Sequence, residues 1–176
     1  MNSSQDVLRK FETTAAAWRE WLERYSEDEF ARKPDVPSWS IGQVYSHLID
    51  GTRQYHLRQI GKCLDGKGTM HAGGKTFPGM LTFALGSFLP VRIKVPPSDA
   101  YTPKQPAGLA AMKAGLESLR DVMRETAPRI ATAAPEMKTA HPALGFLNAA
   151  EWYALIEMHF RHHMRQKRRI DQWLGR

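Results

Sequence analysis

His159 and His163 stand four residues apart in the run His159-Phe160-Arg161-His162-His163-Met164-Arg165-Gln166. On an α-helix that spacing brings both imidazoles to one face, and two imidazoles side by side are half of a transition-metal site. A third imidazole from another helix completes a three-donor site with positions left for a non-protein ligand, which chemistry at a metal requires. His47, in Trp39-Ser40-Ile41-Gly42-Gln43-Val44-Tyr45-Ser46-His47, is the candidate third donor. Three neutral imidazoles leave a divalent ion (zinc, nickel or iron) its full charge, so a water on it loses its proton near neutral pH.

At about 100° per residue, Gln166 lies about 20° from His159 and His163 about 40°, with Trp152 and Leu155 within about 40°. This face starts apolar and turns polar at the imidazoles, and imidazoles in a buried stripe need something to satisfy them. His162 falls about 60° off, at the edge. On the helix that carries His47, its side also holds Gln43, Gly51, Gln54 and Arg58. His56 is about 180° away and is set aside as a ligand; Cys63, about 160° away, is set aside as a thiolate. Gln166, His162, Gln54 and Asp50 are expected around the ligands, where a polar side chain orients an imidazole or accepts its second N–H. Asp50 could also bind the ion itself. His71 and His141 fall in predicted loops and read as exposed histidines. No glutamate follows His159, so the His-Glu-x-x-His general-base arrangement is excluded.

Four segments carry helical periodicity and none alternates as a strand would, so the chain reads as all-α. The first helix is predicted from about Ser4 to Ala31, with Val7, Leu8, Phe11, Ala15, Trp18, Leu22 and Tyr25 as its stripe, ending before Pro34 and Pro37. Ser40 with Gln43 makes a capping box that opens the second, which runs to Cys63 or Leu64. The third starts near Pro106 and runs to about Thr126; the fourth is capped by Asn148 with Glu151 and reaches about Leu174. Residues 65–105 form a long crossover loop between helices 2 and 3, rich in glycine and proline, with a short helix over Gly79–Phe88. The expected architecture is a four-helix bundle forming a single domain over residues 1–176.

Composition narrows the classes. A chain of 176 residues, 42% hydrophobic and 24% charged, suits one globular domain with its own core. Cys63 is the only cysteine, which excludes a disulfide framework and a cysteine zinc site and points to a reducing, cytoplasmic compartment. The N-terminus carries no basic start followed by an apolar run, and no stretch reaches the ~18 apolar residues of a membrane span, so no membrane partner is expected. Much of the net charge of +7 sits in Arg161, Arg165, Lys167, Arg168 and Arg169. There, in the last turns of a helix, cations meet the negative end of its dipole. No stacking motif or basic arm accompanies them, so nucleic acid is not expected as a partner.

Three runs resemble the DinB/YfiT-like superfamily. Trp39-Ser40-Ile41-Gly42-Gln43 leading to His47 is similar to the start of its second helix, and His141-Pro142-Ala143-Leu144-Gly145 to the run before its last helix. The segment from His159 to Gln166 resembles its His-x-x-His-His-x-x-Gln signature. The resemblance implies an up-down-down-up four-helix bundle, often a homodimer, with metal on residues corresponding to His47, His159 and His163. It also implies a metal-dependent enzyme, either a low-molecular-weight thiol S-transferase using bacillithiol or mycothiol, or a thiol-dependent isomerase, acting on small electrophiles. With no protein thiol in register, the cosubstrate would be an anionic small thiol, its carboxylates bound by Arg58, Arg161 or Arg165. The alternative is a non-catalytic metal- or ligand-binding module of a stress response. The Gly66–Pro97 loop departs from the superfamily in length, so a substrate pocket is not inherited with the metal ligands.

Overall fold

Among the described residues, four helices open on a capping box, in which a side chain takes the third backbone N–H and the third residue returns a bond. The pairs are Ser3 with Asp6, Ser26 with Glu29, Ser40 with Gln43, and Asn148 with Glu151. The computed structural model describes residues 3–70, 73–89 and 102–176. In it the first two boxes start α1 (Ser4–Leu22) and α2 (Glu27–Ala31). The single first helix predicted to Ala31 is therefore two. The Ser26 hydroxyl takes a backbone N–H for a new cap instead of continuing the old helix.

The helix that carries His47 is also interrupted. α3 (Ile41–Gly51) passes into a π turn, Thr52–His56, and then into α4 (Leu57–Leu64). Bonding to the fifth rather than the fourth residue inserts one residue per turn, which shifts the downstream face by roughly 100°. Thr52, His56, Ile60 and Cys63 are buried, whereas Gln54 and Arg58 are exposed.

The fold is mostly helical rather than all-α, because a small antiparallel sheet joins the helices. Its strands are β1 (Thr69–Met70), β2 (Met137–His141) and β3 (Gly145–Asn148), in that order. Pairs this short give no periodic signal, which is why the sequence shows only a proline-punctuated loop there. The turn between β2 and β3 is built by the His141–Gly145 run. His141 Nδ1 accepts the N–H groups of Ala143 and Leu144, both at 3.1 Å. Gly145 then takes a φ of +83°, a left-handed conformation that favours glycine. α5 (Phe77–Leu85) lies on this hairpin so closely that a Cβ at Gly79 would sit 2.2 Å from the Leu144 carbonyl oxygen. His71 and residues 90–101 of the predicted crossover lie outside the described residues.

α6 (Leu109–Ala131) begins later than Pro106 and runs through Pro128. At its start the Glu27 carboxylate accepts the Leu109 N–H at 3.1 Å, a cap supplied from α2. At its end the buried Ala127 and Ile130 hold the last turn against the core despite the proline. α7 (Ala149–Leu174) completes the chain.

α1 packs on α6 and α7, α3 on α6 and α7, and α4 on α7. Trp18 sits at the centre, edge-to-face with Tyr45 at 5.0 Å and with Phe160 at 6.4 Å. Its Nε1–H donates to the Phe160 carbonyl (3.2 Å), and the Tyr45 hydroxyl donates to the Trp18 carbonyl (2.6 Å). α1 thereby ties α3 to α7 at fixed heights. His47 stands two residues from Tyr45 and His159 next to Phe160.

Candidate metal centre

The Ser40 box sets the first turn of α3 and the Asn148 box that of α7, and the Trp18 bonds register the two helices against each other. In that register the Nε2 atoms of three histidines converge. His159 Nε2 lies 2.9 Å from His47 Nε2 and 3.1 Å from His163 Nε2. The three rings meet edge-on or tilted, with centroids 4.7–4.8 Å apart, so the nitrogens rather than the faces are in contact. These residues form a group able to hold a metal ion, each offering one donor atom.

Hydrogen bonding among the rings does not satisfy this arrangement. A neutral imidazole nitrogen carries either one proton or one lone pair in the ring plane. His159 Nε2 faces two other nitrogens and can serve only one of them well. At His163 the choice is made, because Nδ1 donates to Gln166 Oε1 at 2.8 Å and leaves Nε2 with its lone pair inward. A cation at the meeting point would use all three lone pairs at once.

The rings are also held neutral. Burial pushes His47 down to about 4. Burial, then the neighbouring His47, pushes His163 down to about 3, with the Gln166 bond acting the other way. His159 is held well below its ordinary range by burial and by the surrounding histidines. Neutral imidazole is the form that ligates metal.

The other predicted residues separate into two sets. Gln166 bonds His163, and His162, partly buried, packs on His163 with centroids 5.4 Å apart. Asp50 and Gln54 are exposed, with Gln54 carried outward in the π turn. Among the basic residues, Arg161 is already engaged. Its guanidinium donates to both Glu157 carboxylate oxygens (2.9 Å each) and to the Gly86 carbonyl (2.6 Å). Arg58 and Arg165 are exposed. Cys63 is buried and its thiol is pushed up by that burial.

Four neighbours were not legible as such from spacing. Trp39 packs on His47 at 5.0 Å, and Phe88, beyond the end of α5, packs near His159 and His162 at 6.5 and 5.3 Å. His141 is half-buried in the hairpin, not an exposed loop residue, and stacks near Trp152 at 5.3 Å. His56, expected opposite His47, lies with its ring 5.2 Å from that of His159. One signal does point to His56: on an α-helical wheel it shares a side with the apolar Ile49, Ile60 and Cys63.

Among the described residues no helix is long and apolar enough to cross a membrane. No curated protein matches the sequence. The model of the DinB superfamily matches residues 10–166, from within α1 to the amide that orients His163, and the chain belongs to that superfamily.

Proposed function

We infer that this chain is a divalent-metal-dependent enzyme, with its ion on Nε2 of His47, His159 and His163, that joins a low-molecular-weight thiol to a small electrophile or isomerises one with its help. The observation that carries the metal reading is the convergence of three Nε2 atoms, one of them fixed as a lone-pair nitrogen by Gln166. Three protein donors is the number found at catalytic rather than structural zinc. A divalent ion held there supplies Lewis acidity and lowers the pKa of a thiol or water.

The chain's own residues support the rest of the reading. Burial keeps the three imidazoles uncharged, and Gln166 orients His163. Trp39 covers His47, and Phe88 gives an apolar wall suited to an uncharged electrophile. Cys63, buried with its thiol pushed up, is not placed to serve as the thiol, so this reading takes an external one. Arg161 is engaged by Glu157 and is not free for the carboxylates of such a thiol. The four long helical segments α1, α3–α4, α6 and α7 are read as the up-down-down-up bundle of the superfamily.

The test begins with metal analysis of protein purified without chelator. About one ion per chain is expected, falling to trace in His47→Ala, His159→Ala and His163→Ala. Equal metal content in all four proteins would remove the triad from the account. Metal-loaded wild type is then given monochlorobimane with glutathione, bacillithiol or mycothiol in turn. Metal-dependent conjugation supports the enzyme, and no turnover with any of them leaves a metal-binding module.

A further inference from the structure

Ligand histidines almost always pass their second N–H to an acceptor, which fixes the tautomer and the ring. His163 does so through Gln166. His159 does not: with Nε2 turned to the other two histidines, its proton belongs on Nδ1, and that atom is buried with no hydrogen-bond partner. A buried donor left without an acceptor is destabilising. The same stretch of interior holds a matching deficit. His56 Nδ1, Thr52 Oγ1 and Trp152 Nε1 are likewise buried without partners.

These atoms sit together because the π turn moves His56 off the far side of its helix. The His56 ring lies 5.2 Å from the His159 ring and 5.9 Å from that of Trp152. The His56 and His159 rings are thus neighbours, yet neither Nδ1 has a direct hydrogen-bond partner. Trp152 Nε1 can only donate, as can the protonated Nδ1 of His159. His56, buried and neutral, offers one acceptor nitrogen. One water between them would meet the requirement of several polar partners in a buried place.

We propose that His56 is a positioning residue of the metal centre: its Nδ1 accepts, through one buried water, the Nδ1–H of His159 and so holds His159 with Nε2 toward the ion. This rests on the metal reading above. His56 touches no substrate in this role, and the π turn exists in the fold as the device that brings it there.

Co²⁺ binding to wild type, His56→Leu, His56→Asn, Thr52→Val and His47→Ala tests it, followed by the visible spectrum of the bound ion and by chelator competition. His56→Leu removes the acceptor and is expected to weaken Co²⁺ about 10- to 100-fold and to shift the absorption bands. His56→Asn restores an acceptor near the Nδ1 position and should recover most of the affinity and the wild-type spectrum, which simple packing loss would not do. In the zinc-loaded, ¹⁵N-labelled protein, the His159 Nδ1–H should give a slowly exchanging signal that His56→Leu loses. Wild-type affinity and spectrum in His56→Leu would overturn this proposal alone, as would a Thr52→Val variant that reproduces the whole effect. Wild type binding Co²⁺ no better than His47→Ala would overturn the metal centre and this proposal with it. If His56→Leu does not fold, His56→Asn decides: near-wild-type affinity with the His159 signal retained supports the role, and a 10-fold loss with that signal absent overturns it.

Discussion

At Gln166 one amide determines which nitrogen of His163 is free to bind. The Gln166→Leu variant keeps the volume near that of the amide but loses the acceptor, so His163 can rotate or take the other tautomer. Zinc affinity in chelator competition is expected to fall about 10-fold or more, with the helix signal in circular dichroism unchanged. The histidines also tie stability to pH. His47 is held near 4 and His56 and His163 near 3, each below its ordinary 6.5. Between those values the unfolded chain binds more protons than the folded one. Stability is therefore full above about pH 6.5 and is lost as pH falls toward 3. Urea melts of metal-free protein should show a clearly lower midpoint at pH 5 than at pH 7.5, and equal midpoints would contradict buried neutral imidazoles.

At the scale of elements, what was legible depended on whether the signal was local. The Ser40 and Asn148 boxes and the face shared by His159, His163 and Gln166 are written within a single turn or two, so sequence spacing carries them. The Ser26 restart is equally local, but the unbroken apolar stripe from Val7 to Tyr25 masks it. The π turn is different. No residue spacing announces its wider turn, and a uniform 100° wheel turns His56 away and brings Gln54 in. The hairpin escaped for another reason, since strands this short are defined by their partners. Two substitutions test these elements. Ser40→Ala removes the cap acceptor and the 2.7 Å bond to Gln105 Oε1, and should cost about 1–2 kcal/mol in chemical denaturation. Gly79→Ala forces α5 off the Leu144 carbonyl. Limited proteolysis should then cut near α5 faster, while global melting shifts little because α5 buries few residues.

Across the whole molecule the apolar core is extensive. Phe11, Ala15, Trp18, Leu116, Leu119, Met123, Leu155 and Ile156 are fully buried. Chelation should leave the helical spectrum intact. Zinc at about 100 times its dissociation constant adds about 2.7 kcal/mol, which for a chain of this size raises Tm by roughly 5–10 °C. Differential scanning fluorimetry with and without chelator checks both parts, and unfolding on metal removal would show the centre to be structural instead. The His47–His159 contact has a further consequence, since it joins residues 112 positions apart. An ion there works as a releasable cross-link closing most of the chain into a loop. α3 and α7 cannot separate while both sides hold it, so global unfolding of the loaded protein would have to wait for the ion to leave.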